Sequence, residues 1–286
     1  MLDFFIRKYG THVCKKLITN DLFILRNNVC KSQIEEQQAV TQHLSALTKI
    51  NGDKLIPHNL ITSGIEWGFD CSGWLGRLEH NKNIMVIGTE PNIDSDYKIV
   101  YDFGHERNKT LEEVAIKQFN YKYNKKNRTR DISKIIVDIF YDNPTTKDIV
   151  NTLNSCYLTD MCFFAPKESS DKTKIANKLR TTKSFWNSLT KDVADLFLIE
   201  EIELIKPKII ISSSKVPADF FEKKLRIKYD YQNIINSKLR IGMTEWKGIK
   251  MLSLPHLSGQ TRNKLYAKKE QSSFNHVKTM VRNFIK

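Results

Sequence analysis

Three ionisable side chains stand in or just after apolar runs of this chain: Glu90, Asp160 and His256. Carboxylates and imidazoles stabilise developing charge or move a proton near neutral pH. Glu90 lies in Asn83-Ile84-Met85-Val86-Ile87-Gly88-Thr89-Glu90-Pro91-Asn92. Ile84 to Ile87 is a short unbroken apolar run, the pattern of a strand buried on both faces of a parallel sheet. Pro91 biases Glu90 away from the helical region, so the chain leaves the strand in an extended turn. In open α/β sheets ligands sit beyond the carboxyl ends of the strands. Glu90 falls there, on a backbone with little freedom. Taken by itself, the segment reads better as a βα loop that merely ends in Gly-Thr-Glu-Pro.

The other two residues need strands to position them. Cys156-Tyr157-Leu158-Thr159-Asp160-Met161-Cys162-Phe163-Phe164 predicts a second strand, ending in a loop at Ala165-Pro166. Lys208 to Ser212 predicts a third and Ile249 to Leu254 a fourth. Pro255-His256-Leu257-Ser258-Gly259-Gln260-Thr261-Arg262-Asn263 follows the fourth directly. Helical spacing runs from Lys31 to Ile50 and stops at Asn51-Gly52, as a C-cap would stop it. Further helices are expected over Leu111 to Phe119, over Ile132 to Tyr141 behind an Asp131 cap, as a pair over Lys174 to Ile205 ended by Pro207, from Pro217, and over about Ser272 to Ile285. The segment with Gly64, Trp67, Gly68, Phe69, Gly73, Trp74 and Gly76 reads as an irregular loop, its tryptophans packed in a core. Strands separated by helices imply right-handed crossovers and a three-layer α/β/α sandwich on a central four-stranded parallel sheet. Residues 1–80 read as a helical N-terminal extension packed on the core, and 81–286 as the catalytic domain.

Composition narrows the partner. The 286 residues carry 46 Lys and Arg against 32 Asp and Glu, a net charge of +14. That balance favours a polyanion, most often nucleic acid; a lysine-rich genome is the alternative source. Lys122, Lys125, Lys126, Arg128 and Arg130 stand among Phe119, Tyr121 and Tyr123. Basic residues interleaved with aromatics suit a phosphate backbone with splayed bases, and a solvated basic loop equally well. No apolar run approaches the ~20 residues of a membrane span, and Met1 to Ile6 is too short and wrongly flanked for a signal peptide. The five cysteines are odd in number and hold no Cys-x-x-Cys pair. Neither a disulfide framework nor a zinc ribbon is indicated, so a reduced, cytoplasmic setting is expected.

The order of these elements resembles the uracil-DNA glycosylase superfamily over about residues 83–285. Its first motif, a strand followed by a Gly-x-acid-Pro type turn, matches Gly88-Thr89-Glu90-Pro91. Its last, a strand followed by a His-Pro-Ser type loop, matches His256-Leu257-Ser258-Gly259. Between them the family carries a strand with a base-reading amide, and the matching pair is Thr159-Asp160. Glu203 to Ser214 looks like the family's third strand unit. The resemblance implies a monofunctional DNA glycosylase. Glu90 would then stabilise an oxocarbenium-like sugar and orient water, and His256 would donate to O2 of the departing pyrimidine. Ser258, Gly259, Gln260, Arg262 and Asn263 would form the loop that enters DNA and holds phosphates. Lys125, Lys126 and Arg128 would add backbone contacts. The target base leaves the stack to reach such a pocket. Phe103 and Tyr101 are candidates to stack on it, with core packing the alternative for both.

Two departures bear on substrate. Glu90 has a longer arm than the Asp of some branches. Asp160 stands where uracil-reading members have Asn. A carboxylate cannot donate to uracil O4, but it can accept from the N4 amino group of cytosine. Cytosine N3 is an acceptor, so Asp160 would need its proton to donate there, and burial favours the protonated carboxyl. Unmodified cytosine is everywhere in DNA, so the expected target is a modified cytosine, hydroxymethylated or glucosylated as in phage DNA, in an anti-phage role. A register shifted by one, with Asp160 structural, is the alternative for this residue. Uracil repair and a silent DNA-binding member of the fold are the rival functions, with an unrelated α/β hydrolase of a nucleotide-like substrate a third. The cysteine spacings do not match the family's iron–sulfur branches, so no metal or other cofactor is expected. DNA is the expected partner, of a monomeric protein that does not enter membranes.

Overall fold

A computed structural model describes residues 2–10, 33–52, 55, 61, 67–69, 73–74, 84–89, 136–166, 183–234, 239–255 and 271–285. Its strands are β1 (Trp67–Phe69), β2 (Gly73–Trp74), β3 (Ile84–Gly88), β4 (Cys156–Asp160), β5 (Phe164–Pro166), β6 (Ile209–Ser212), β7 (Asp230–Asn233), β8 (Arg240–Trp246) and β9 (Ile249–Ser253). Its helices are α1 (Leu2–Tyr9), α2 (Gln33–Asn51), α3 (Thr146–Asn154), α4 (Lys183–Ile205), α5 (Lys215–Leu225) and α6 (Gln271–Ile285). The chain forms two compact units. One comprises Met1–Gly73, Thr89–His105 and Thr159–Lys206, the other Trp74–Gly88, Glu106–Leu158 and Pro207–Lys286.

The second unit is built on the apolar runs. Ile84, Met85, Val86 and Ile87 of β3 are all buried, as are Ile209, Ile210 and Ile211 of β6 and Met251 and Leu252 of β9. β3 pairs in parallel with β6, and β6 with β9. Ser155 accepts from Ile84 N–H at 2.9 Å, and farther along Thr89 accepts from Cys162 N–H at 3.0 Å. Residue numbers rise together between those two bonds, so β4 also runs parallel to β3. The carboxyl ends of β4, β3, β6 and β9 therefore share one end of the sheet.

The sheet is larger than the four-stranded one expected from sequence. Seven strands lie in the order β2-β4-β3-β6-β9-β8-β7. The four anticipated strands are its adjacent parallel members, and β2, β8 and β7 extend the two edges. β7 and β8 pair antiparallel and carry Asp230, Gln232, Asn233, Arg240 and Glu245. An antiparallel edge with a wet face has no continuous apolar run to read. The β8–β9 turn places Lys247 at φ 50° and Gly248 at φ 80°, the two positive values that a tight two-residue hairpin requires.

Two further expectations change. The second strand stops at Asp160 rather than Phe164. Residues 161–163 break from it, and β5 pairs antiparallel with β1 in a separate two-stranded sheet. Buried Trp67 meets Phe164 edge-on at 5.9 Å there, which directs 164–166 away from the line of β4. The glycine- and tryptophan-rich segment thus contains strands β1 and β2. Of the helix pair predicted over Lys174 to Ile205, residues 183–205 form one helix, and 174–182 lie outside the described residues. It ends with Lys206 at φ 51°, whose N–H reaches Ile202 O at 2.8 Å, before Pro207 prevents continuation.

The hairpin region packs tightly over the ends of β6 and β9. A Cβ on Gly242 would lie 2.7 Å from Tyr231 Cε1 and 3.1 Å from Tyr229 Cβ, so only glycine fits. The hydroxyls of Tyr229, Tyr231 and Ser212 are buried, and among the described residues none meets a partner in full hydrogen-bond geometry. Burial pushes the Tyr229 phenol well above its ordinary value of 10.0, and nearby Ser212 counters only part of that. A raised folded-state pKa means stability fully present below pH 10 and lost as pH rises beyond it. Tyr229→Phe removes an unpartnered hydroxyl and this titration together. Its urea midpoint at pH 7 is expected to stay within about 1 kcal/mol of the parent or exceed it, with a shallower loss of stability above pH 10. A large loss at pH 7 would show that the hydroxyl is satisfied in solution.

Candidate active site

The first unit begins with α1, Leu-Asp-Phe-Phe-Ile-Arg-Lys-Tyr. Phe4, Phe5, Lys8 and Tyr9 are buried, the three- and four-residue spacing of one helix face. Phe5 and Tyr9 stack at 6.3 Å, and Phe4 meets Phe197 of α4 edge-on at 6.3 Å. Asp3 in the first turn and Arg7 and Lys8 in the last suit the helix dipole. Gly10 ends the helix at φ 85°, with its N–H on Ile6 O at 2.8 Å. A Cβ there would stand 2.9 Å from His43 Nδ1. His43, on α2, holds Lys8 C=O through Nε2 at 3.0 Å. Burial lowers its pKa below the ordinary 6.5, against the opposing pull of the Lys8 and Arg7 backbone. The neutral ring is thereby favoured, and stability tied to it falls as pH drops below that value.

Lys8 enters a closed polar cluster. Its Nζ donates to Glu201 Oε2 at 2.8 Å and lies 3.4 Å from Thr159 Oγ1. Thr159 Oγ1 donates to the same Glu201 oxygen at 3.1 Å. The side chains of Lys8 and Glu201 are 2% and 0% exposed. The ammonium also lies 5.2 Å from the Tyr9 ring centroid and 5.7 Å from that of Phe163. Ring faces at these distances attract a cation.

Thr159 and Asp160 are the last residues of β4. Successive side chains of a strand point to opposite faces. Thr159 is buried in the Lys8–Glu201 cluster, so half-buried Asp160 projects the other way. Beyond it, Cys162 N–H donates to Thr89 C=O, the carbonyl immediately before Glu90 in the chain. Cys162 Sγ also reaches Phe164 O at 3.2 Å. Phe163 packs edge-on against Tyr9 at 5.1 Å and Phe197 at 5.8 Å. The chain on both sides of Asp160 is therefore held by buried contacts.

Of the candidate residues, Asp160 is among those described. Glu90, Tyr101, Phe103, Lys125, Lys126, Arg128, His256, Ser258, Gly259, Gln260, Arg262 and Asn263 lie outside the described residues. Thr89 and Pro255, one residue before Glu90 and His256, are described at the carboxyl ends of β3 and β9. Lys8 and Glu201 did not emerge from sequence reasoning. Their signal is a charge inside an apolar stripe: Glu201 lies four residues from Phe197 and from Ile205, and Lys8 four from Phe4. Among the described residues no group of three or more His, Cys, Asp and Glu could hold a metal ion, and no helix is long and apolar enough to cross a membrane.

A family model described as the uracil DNA glycosylase superfamily matches residues 75–281, more than half of the chain. A search of curated proteins finds no match.

Removing one member of a buried ion pair strands the other charge without water. Lys8→Met alone is therefore expected to destabilise the protein by about 3–5 kcal/mol. Urea unfolding at pH 7 measures this, and a loss near zero would mean that water reaches Glu201 in solution.

Proposed function

Since the chain belongs to the uracil DNA glycosylase superfamily, we propose that it is a monofunctional DNA glycosylase whose target is a modified cytosine. Members of that superfamily generally hydrolyse the bond between a base and its sugar, and they act on DNA. The finer reading rests chiefly on Asp160. What supports it is the residue's position: it ends β4, and two residues later the backbone bonds to Thr89, the neighbour of Glu90. A base-reading carboxyl and a sugar-facing carboxylate are thus tied through their main chains.

In this reading a flipped nucleotide presents C1′ near Glu90. As the C1′–N1 bond breaks, positive charge grows on the sugar and negative charge on the base. Glu90 stabilises the first and orients the water that adds to C1′. His256 donates to O2 and stabilises the second. The protonated carboxyl of Asp160 donates to N3 and accepts from the N4 amino group. Uracil presents a donor at N3 and an acceptor at O4, so it needs the carboxyl proton on the oxygen facing O4 rather than on the one facing N3, and the ionised form has no donor for O4 at all. Ser258, Gly259, Gln260, Arg262 and Asn263 hold the strand, Lys125, Lys126 and Arg128 contact its backbone, and Phe103 or Tyr101 stacks on the base. Hydroxymethylated or glucosylated cytosine, as in phage DNA, is a substrate whose removal does not attack the cell's own genome. Defence against phage is the corresponding role.

Duplexes containing uracil, cytosine, hydroxymethylcytosine or glucosylated hydroxymethylcytosine, assayed for abasic sites, test the target. Excision is expected at a modified cytosine, and abasic sites at uracil alone would overturn the assignment. Glu90→Gln is expected to lower the rate by about 10²–10⁴ while DNA binding by gel shift is retained. Asp160→Asn restores an amide that can donate to O4. It is expected to shift the ratio of uracil to modified-cytosine excision towards uracil by at least about tenfold. An unchanged ratio would remove Asp160 from base reading.

A further inference from the structure

We propose that Lys8, Glu201 and Thr159 are positioning residues for Asp160, and that the N-terminal helix thereby belongs to the specificity apparatus. This rests on the reading of Asp160 as the base-reading group. Asp160 is the last residue of its strand, and beyond it the chain breaks away towards β5. Beyond it the backbone is held by the Cys162–Thr89 bond. The Lys8 cluster adds a side-chain constraint from the opposite face. Its ammonium contacts Thr159, one residue before Asp160, and lies against the ring of Phe163, three residues after it. Glu201 accepts from both Lys8 and Thr159 through one oxygen, Oε2. Lys8 carries only donors, the carboxylate only acceptors, and the threonine hydroxyl one donor and acceptor lone pairs. The donors and acceptors of the three groups match one another, which favours this arrangement over one with any of them reversed.

An apolar pair of similar volume stabilises such a site as well as or better than a buried ion pair. Stability alone therefore gives no reason for this cluster. Directional geometry does, since displacement of a positioned group by about 1 Å costs roughly 10²-fold in rate. The two properties separate in the double variant Lys8→Met/Glu201→Leu, which removes both charges together. The pair Thr159→Val and Thr159→Ser separates them again without touching either charge, since valine lacks the hydroxyl and serine keeps it.

Each variant is compared with the full-length parent in three measurements: urea unfolding, amide hydrogen exchange of peptides spanning 156–166, and single-turnover excision with KM from a duplex holding the parent's preferred base. The double variant is expected to unfold much closer to the parent's midpoint than Lys8→Met alone, the stranded Thr159 hydroxyl offsetting part of the gain from removing both charges. Its amides at 158–163 are expected to exchange at least tenfold faster, and its chemical step to fall by about 10- to 100-fold with KM within about twofold. Thr159→Ser is expected to stay near the parent and Thr159→Val to follow the double variant. Parent-like exchange, or faster exchange with an unchanged rate, overturns the proposal. If the double variant does not fold, the Thr159 pair decides by the same two criteria. A parent that excises no base defeats the glycosylase reading instead, and exchange alone then decides whether the cluster holds the turn.

Discussion

Lys8 and Glu201 form an ion pair between side chains that are 2% and 0% exposed, with nitrogen and oxygen 2.8 Å apart. Taking either ion out of water costs several kcal/mol, recovered only if the partner and the remaining hydrogen bonds are in place. Several unrelated features of the chain serve that condition. α1 must stop with its last turn intact, which Gly10 and His43 secure. α4 must run unbroken past Glu201, and it ends only where Pro207 approaches. β4 must deliver a hydroxyl rather than a methyl at its penultimate position. Aromatic rings of Tyr9 and Phe163 flank the ammonium and complete its enclosure. A region otherwise filled by phenylalanines thus acquires one arrangement instead of several.

The sequence was legible where burial is uniform and opaque where it is one-sided. Ile84 to Ile87, Ile209 to Ile211 and the run from Ile249 announce themselves because both faces of a central parallel strand exclude water. β7 and β8 alternate instead, and the run Asp230-Tyr231-Gln232-Asn233 contains too little apolar content to read as a strand. Cys156 to Phe164 misled for a different reason. It is apolar almost throughout because two elements, β4 and β5, are buried back to back, and apolarity cannot mark the break between them. That break matters more than the strand, since it makes Asp160 terminal. For Lys8 and Glu201 the local signal is only a charge inside an apolar stripe, and their pairing, 193 residues apart, leaves no local pattern.

The family motif and the reading residue carry different information. A strand, a Gly-x-acid-Pro turn and a histidine loop are tied to the sugar and to the leaving group, which are common to every base. They specify bond cleavage. The choice of base depends on which edge atoms donate and which accept, and an amide and a carboxyl at the reading position offer different patterns. Membership of the superfamily over residues 75–281 supports glycosylase chemistry. In the proposed reading the substrate depends on Asp160 and on how firmly it is held.

The net charge of +14 sharpens this division. Phosphate contacts supply affinity for any DNA, whatever its sequence, and more of them raise the affinity for correct and incorrect sites alike. A strongly basic protein therefore cannot select its base through binding strength. In the proposed reading, discrimination arises after the base has left the stack, from donors and acceptors that meet its edge. A carboxyl free to swing could turn away from a mismatched edge and forfeit the penalty of an unfavourable pairing. Selectivity at this step requires that the misfit remain costly, which requires a reading group that cannot move aside. The closed cluster behind Thr159 is suited to that requirement, because any shift of the β4 end must first break a hydrogen bond to a buried charge.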